Sequence, residues 1–250
     1  MAKAPLWTDR ELFAAVEAYV FLLRAERAGI PTGSAASARS LLSGIFSERN
    51  DASVLYRMRN VSTVVRDRGG PILDIYPPAE NVGKNVYRKI EDLLRNNLNF
   101  EAIRAEGEKG ESYALSLPPE NPLQFLAALR KHIDDLEREI LGVGHNEPPT
   151  TLTTDGLTRE DFRQARRDID DLEKDVSDGL KHDPETSAAV KSLMKFGLKV
   201  ALWVGERTTK FVDVTLALAA PVVVVKATGL APVLFEAIAH ATNFLASIGG

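Results

Sequence analysis

The segment LQFLAALRKHIDDLEREIL, residues 123–141, has the clearest structural pattern in the chain. Its leucines and isoleucines recur every three or four positions and charged residues stand between them, which is the pattern of an amphipathic helix. Pro122 comes directly before it, at a position where the first turn of a helix favours proline. Similar helical periodicity lies on both sides of this segment. We therefore predict a mainly α fold, with a helical N-terminal module and a C-terminal apolar helical hairpin.

The residues before this segment predict the helical module. Thr8 and Glu11 have the spacing of a capping box, in which each residue bonds the backbone of the other at the start of a helix. Further helices are expected over residues 35–46, over residues 53–66 and from Asn81 onward, because apolar residues recur there at helical spacing. We assign residues 1–140 to this head-like domain.

A change of composition follows residue 141. The stretch GVGHNEPPTTLTTDG, residues 142–156, is rich in Gly, Pro and Thr, which is typical of a linker. Residues 101–183 carry 11 Lys and Arg against 20 Asp and Glu, a balance of −9, whereas residues 1–100 carry 14 against 11, a balance of +3. This asymmetry favours separate modules. We predict a linker at 141–157 and a second domain at 158–250.

The second domain begins with a highly charged helix and becomes apolar after Thr186. A run of twelve mostly apolar residues at 214–225 is too short to cross a bilayer, which needs about 20. The apolar hairpin is still too large to stay exposed. It therefore needs burial in its own domain, against a second copy or helical partner, or peripherally in the inner membrane. The residues expected at an oligomer or membrane contact are Lys191, Lys195, Lys199, Trp203, Leu234 and Phe235.

Composition excludes several kinds of chemistry. The chain has no cysteine, so disulfides and thiolate metal sites are absent. Its four histidines form no metal-binding pair, and no phosphate loop or catalytic motif is present. We accordingly predict no catalytic residue, no metal, no cofactor and no small-molecule substrate. The start MAKAPLWTDREL lacks the apolar run of a signal peptide, which predicts a cytoplasmic protein.

Several short motifs between Trp7 and Gly83 recur in order in a known group of proteins. Their sequence is W-T-x-x-E-L, A-V-E-A-Y, R-S-L-L-S, Y-R-M-R-N-V-S and Y-P-P-A-E-N-V-G. This stretch resembles the N-terminal head domain found in front of HNH restriction endonucleases of the McrA type, which cut modified or phosphorothioated DNA. The resemblance covers about the first 100 residues, and the nuclease part has no counterpart in this chain. The matching residues are Trp7, Glu11, Leu12, Glu17, Tyr19, Leu41, Arg57, Asn60, Val61, Ser62, Tyr76, Pro77, Ala79 and Asn81.

A second motif, G-V-G-H-N-E-P-P at residues 142–149, is similar to a signature of uncharacterised alphaproteobacterial proteins. This similarity implies no chemistry. A turn or hinge is the simplest interpretation of its histidine, His145.

Arginines cluster around the helix predicted at 53–66, and long cationic side chains on a rigid helix are typical of phosphate contacts. Arg59 and Arg66 share a helical face, whereas Arg57 and Arg68 lie on another, so an ordinary solvated helix is the alternative interpretation. The aromatic of YPPAEN is either a stacking platform or part of a rigid turn. The candidates for DNA contact are Arg39, Arg57, Arg59, Arg66, Arg68 and Tyr76.

These observations lead to a functional hypothesis. We expect a non-enzymatic bacterial protein of two modules, linked by the resemblance to defence against foreign DNA. Its head-like domain would contact the DNA backbone weakly, or a partner, and its hairpin would self-associate or reach the membrane. The alternative is an effector that disrupts the membrane when its N-terminal domain is triggered.

Overall fold

A computed structural model describes residues 7–30, 35–43, 45–108, 121–142, 157–179, 187–211 and 220–248. Within these ranges the chain forms nine helices and no strand, so the mainly α prediction is confirmed. Helices α1–α5 form one compact unit, the N-terminal unit, and α6–α9 form a second, the helical bundle. The helices are α1 Asp9–Arg27, α2 Ala35–Ser43, α3 Asp51–Asp67, α4 Lys84–Arg95, α5 Leu98–Glu108, α6 Pro122–Gly142, α7 Arg159–Asp178, α8 Ala188–Phe211 and α9 Ala220–Ile248.

Helix α1 is the central element of the N-terminal unit. The predicted capping box at its start is confirmed: the Glu11 backbone N–H donates to the Thr8 hydroxyl, and the Thr8 backbone N–H donates to the Glu11 carboxylate at 2.7 Å. Every residue from Ala15 to Leu23 is buried, because α3, α4 and α5 pack around this helix. A helix buried on all sides anchors the elements that surround it.

The end of α3 is fixed by two glycines. Gly69 adopts a left-handed backbone (φ 75°), a conformation that glycine reaches without steric cost. At Gly70 a Cβ atom would lie only 2.8 Å from the Phe100 ring and 3.1 Å from Val65. The two residues therefore allow the Phe100 ring of α5 to approach the end of α3, and they turn the chain into the segment before α4.

The second unit is a four-helix bundle in which each helix packs on the next and α9 closes against α6. Arg130 on α6 pairs with Asp170 and Glu173 on α7, whereas Arg166 on α7 pairs with Asp134 and Glu137 on α6. Early residues of one helix thus meet late residues of the other, so α6 and α7 run antiparallel. Lys199 of α8 pairs with Asp161 of α7, and Ser192, earlier on α8, hydrogen-bonds Asp168, later on α7, so this pair is antiparallel too.

Apolar stripes at helical spacing fill the bundle. Phe162 on α7 packs edge-on against Phe196 on α8, with ring centroids 5.3 Å apart. Phe125 near the start of α6 stacks on His240 near the end of α9, with centroids 3.6 Å apart. The buried stripes comprise Leu126, Leu129, Ile133 and Leu136 on α6; Ala165, Ile169, Leu172 and Val176 on α7; and Leu193, Val200, Leu234 and Ile238 on α8 and α9.

The placement of α6 differs from the sequence assignment. Residues 1–140 were expected to form one head-like domain, yet α6 packs on α7 and α9 rather than within α1–α5. The physical reason is that its apolar stripe completes the hydrophobic core of the bundle. Apart from its two ends, the predicted linker at 141–157, including His145, lies outside the described residues.

In the parts of the chain that the structure describes, no helix combines the length and the apolar character that crossing a bilayer requires.

Candidate nucleic-acid interface

The N-terminal unit exposes one side of α3 to solvent. Leu55 and Tyr56 are 46% and 53% exposed, which is unusual for large apolar side chains. Arg59 and Arg66 follow at helical spacing on the same side, with Arg66 exposed and Arg59 partly exposed. One apolar, one aromatic and two cationic side chains therefore share a single face of α3.

Helix α4 adds a basic face to this surface. Lys84 and Arg88 stand four residues apart and are both exposed, whereas Ile90 and Leu94 on the opposite side are buried. Within the described residues, neither Lys84 nor Arg88 has a carboxylate at ion-pairing distance. Arg95, one further cation on this face, pairs instead with Asp92 at 3.3 Å.

The segment between the two helices holds these faces together. The Arg59 Nε donates to the Pro77 carbonyl at 3.0 Å, and the Ala79 N–H donates to the Arg59 carbonyl at 3.2 Å. The Tyr56 hydroxyl donates to the carbonyl of Asn81 at 3.4 Å, three residues before Lys84. The start of α4 is therefore fixed beside the exposed end of α3. We call this surface, formed by Leu55, Tyr56, Arg59, Arg66, Lys84 and Arg88, the α3–α4 face.

Two of the six DNA-contact candidates are buried. The ring of Tyr76 lies 6.4 Å from that of Tyr19 and is 6% exposed, and burial raises the pKa of its hydroxyl to about 12. It belongs to the core and not to a stacking platform. Arg57 is 9% exposed, and its guanidinium lies over the Trp7 ring.

The other four candidates have polar partners inside the unit. Arg68 pairs with Glu101 at 2.9 Å and lies 6.0 Å from the centroid of the Phe100 ring, so it ties α3 to α5. Arg39 is exposed and pairs with Asp51 at 3.5 Å. Arg66 pairs with the neighbouring Asp67 at 2.8 Å, and Arg59 is bonded to Pro77 as described above. Of the six, Arg59 and Arg66 alone lie on the α3–α4 face.

The C-terminal candidates fall into two groups. Trp203, Leu234 and Phe235 are buried within the bundle, in which α8 packs on α7 and α9 packs on α6 and α7. The lysines lie nearer to solvent. Lys195 and Lys199 are exposed and Lys191 is partly exposed. Lys199 pairs with Asp161 at 2.6 Å, and although burial acts to raise the pKa of Asp161, hydrogen bonds from Lys199 and Thr158 hold it below its usual value.

Sequence reasoning missed four residues of the α3–α4 face: Leu55, Tyr56, Lys84 and Arg88. The four-residue spacing of Lys84 and Arg88 was a usable signal, because it places both on the side of α4 opposite Ile90. No sequence pattern distinguishes the exposed Tyr56 from the buried Tyr76. That difference depends on how the segment after α3 folds back over the helix.

The described residues hold no group of three or more His, Asp or Glu side chains arranged to bind a metal ion. Comparison of the chain with protein-family models, with curated proteins and with solved structures finds no match. The fold therefore defines a mainly α protein built of two helical units, and the functional argument rests on the side chains of the α3–α4 face.

Proposed function

We propose that this protein binds nucleic acid weakly and without sequence preference, through the α3–α4 face of its N-terminal unit. The observation that carries the proposal is the pair Lys84 and Arg88, two exposed cations for which no described residue supplies a carboxylate partner. They lie just after Asn81, whose carbonyl accepts from the exposed Tyr56. Among the described residues, the other cations near this face are engaged within the unit.

The chemistry of the α3–α4 face suits a phosphate backbone. Each cation that neutralises a phosphate releases condensed counterions, which supplies affinity independent of base sequence. An exposed tyrosine adds a flat surface on which an unpaired base can stack. Leu55 beside Tyr56 offers apolar contact to a base or sugar. This arrangement favours backbone contact over base-specific readout, because cationic side chains bind phosphates whatever the base sequence.

Defence against foreign DNA is the biological setting that we propose for this activity. The support is the resemblance of residues 7–83 to the head domain of restriction endonucleases. We place no bond cleavage in this chain. In this proposal the N-terminal unit contacts DNA and the bundle acts as a stable scaffold.

The test is DNA binding by the full-length protein, measured by fluorescence anisotropy at several salt concentrations. The double substitution Lys84→Gln with Arg88→Gln should weaken binding about tenfold at low salt, equivalent to about 1.4 kcal/mol. The slope of log K against log salt should become shallower by about 1.8, because two phosphate contacts are lost. Duplexes of unrelated sequence should all respond equally.

The matched control is Lys191→Gln with Lys195→Gln, which removes the same charge from the bundle. This control should bind DNA as the wild type does. Equal losses in both double variants would mean that net charge, rather than the α3–α4 face, governs binding. A wild-type protein that binds no DNA at low ionic strength would refute the proposed function.

Self-association and peripheral membrane contact through the C-terminal hairpin remain predictions. The membrane-disrupting alternative requires α8 and α9 to separate from α6 and α7, since Trp203, Leu234 and Phe235 are buried in the bundle. Leakage of a dye from vesicles containing anionic lipid, measured with the full-length protein, would favour that alternative.

A further inference from the structure

One buried cation in the N-terminal unit, Arg57, has no carboxylate partner among the described residues. The Arg57 guanidinium carbon lies 4.8 Å from the centroid of the Trp7 ring, and the residue is 9% exposed. Its Nε atom is buried and donates no hydrogen bond. The Trp7 ring is itself held in place. Its Nε1 donates to the Ser53 hydroxyl at 2.9 Å, and the Phe46 ring packs against it with ring centroids 5.3 Å apart.

The carboxylate of Glu11, which lies near this cluster, already accepts hydrogen bonds from other residues. Both oxygens of Glu11 accept hydrogen bonds from Arg49, at 2.6 and 2.8 Å, and one of them also accepts from the Thr8 backbone. The Arg49 guanidinium lies over the same ring, 5.3 Å from its centroid. Within the described residues, the cluster thus contains two guanidinium groups and one carboxylate, which leaves one positive charge uncompensated.

An uncompensated buried charge destabilises a fold, and a cation–π contact offsets only part of that cost. Burial also lowers the pKa of Arg57, and the charge of Arg49 acts in the same direction. An anion that binds from outside the fold and accepts hydrogen bonds from Arg57 would offset this cost.

We propose that Arg57, supported by the Trp7 ring, forms a binding site for a phosphate group. A guanidinium presents a planar set of N–H donors that matches two oxygens of a phosphate, and the indole face holds that plane in a fixed orientation. The Arg49 guanidinium adds a second positive charge beside the same ring. Glu11 disfavours a second anion on the Arg49 side and so restricts the site to Arg57.

This site goes beyond the proposed function, because it lies on a different side of α3. Arg57 and Arg59 are two residues apart on a helix and therefore point to nearly opposite faces. Arg59 belongs to the exposed face, whereas Arg57 is directed toward Trp7. Phosphate can bind Arg57 whether or not the α3–α4 face binds DNA.

The experiment uses the two tryptophans of the full-length chain, Trp7 and Trp203. Their indole N–H signals are followed by NMR during titration with inorganic phosphate, and Trp203→Phe assigns them. We expect the Trp7 signal to shift in a saturable manner, while the Trp203 signal stays in place as an internal reference. Absence of a saturable shift of the Trp7 signal would overturn the proposal.

The variant Arg57→Gln should weaken phosphate binding at least about tenfold, as expected for loss of charge-assisted hydrogen bonds. Arg104→Gln, which removes a partly exposed charge from α5 of the same unit and lies outside the α3–α4 face, is the matched control and should leave the titration unchanged. The same loss in both variants would overturn the proposal.

Thermal stability distinguishes a binding site from a structural arginine. Without phosphate, Arg57→Met should leave the Tm unchanged or raise it, because an unpaired buried charge is removed while packing on Trp7 is kept. With phosphate in excess, the wild type should gain Tm and the variant should not. A fall in Tm of about 4 °C or more for Arg57→Met, with no phosphate effect on the wild type, would show that Arg57 is structural.

The source of the phosphate is resolved by three probes: inorganic phosphate, a nucleoside 5′-monophosphate and the same nucleoside without its phosphate. Tighter binding of the nucleoside monophosphate than of inorganic phosphate assigns the site to a nucleotide phosphate. Equal binding of the two assigns it to free phosphate. A shift of the Trp7 signal by the nucleoside, which carries no phosphate, equal to that by the monophosphate would contradict a phosphate site.

Discussion

The two helical units place their charged and polar groups differently. The N-terminal unit buries Glu17, Arg57, Asn60 and Asn97 in its interior. In the bundle most charged side chains lie at the outer edges of helix pairs, where one arginine pairs with two carboxylates. Its described interior is largely apolar. A bundle patterned in this way is stabilised by burial of apolar area. The N-terminal unit carries groups that cost stability, and such groups concentrate where a protein binds or reacts.

The bundle should show the largest effect of a single substitution. Leu234 is completely buried, so Leu234→Ala removes apolar contacts and leaves a cavity. We expect a loss of about 3–5 kcal/mol in the free energy of unfolding, measured by urea denaturation. Phe244→Ala, at a position 36% exposed on the same helix, is the control and should cost much less. Similar losses for both would show that the apolar interior is not what stabilises the bundle.

The N-terminal unit should respond to pH through Glu17. Desolvation raises the pKa of this buried carboxyl from 4.5 to about 7, although a hydrogen bond from Asn97 acts in the opposite direction. The folded form therefore holds the proton more tightly than the unfolded form. The stabilisation is complete below pH 4.5 and is lost as the pH rises through 7. The expected difference between pH 4.5 and pH 8 is about 2–3 kcal/mol.

The substitution Glu17→Gln tests whether this pH dependence comes from Glu17, because the amide still accepts a hydrogen bond from Asn97 but does not ionise. We expect the variant to be more stable than the wild type at pH 8 and equal to it at pH 4.5, by chemical denaturation. Glu11 should behave oppositely. Hydrogen bonds from Arg49 lower its pKa to about 2, so its contribution is present above pH 4.5 and disappears as the pH falls through 2. A Glu17→Gln variant that is destabilised at pH 8 would contradict the assignment.

The surface ion pairs of the bundle should have the smallest effect. Arg130 pairs with Asp170 and Glu173 while its side chain remains 30% exposed. Arg130→Gln is expected to cost about 0.5–1 kcal/mol at low salt and less at high salt, because exposed charges are screened. The dependence of the urea midpoint on NaCl measures this. A loss independent of salt would mean that Arg130 acts by packing and not by charge.

Local features of the fold were predictable from the sequence. The capping box at Thr8 and Glu11 involves residues three apart, and the thin apolar stripe of α7 follows from its own spacing. Which helices pack against each other was not predictable in this way. The apolar face of α6 shows that this helix packs, but its contact with α9 joins segments about a hundred residues apart in the chain. No local pattern encodes such a pairing, so α6 was assigned to the head-like domain.

The candidate site was less predictable than the fold, because charge alone does not determine exposure. Arg57 and Arg59 look alike in the sequence, yet one lies over Trp7 and the other lies on the surface. The prolines beside Tyr76 suggest a platform or a turn, but its ring packs near Tyr19, whose hydroxyl donates to Ser62 and accepts from the Leu73 backbone N–H. That network joins three distant segments. Because this network holds Tyr76 in the core, the exposed tyrosine is Tyr56 and not Tyr76.

The central claim is that the α3–α4 face contacts nucleic acid, and hydrogen–deuterium exchange of the full-length protein tests it most directly. The protein is compared with and without a random-sequence DNA duplex at low salt. The account predicts slower exchange in the exposed half of α3 and around Lys84 at the start of α4, with α6–α9 unchanged. Protection confined to the bundle, or none in the presence of saturating DNA, would contradict it.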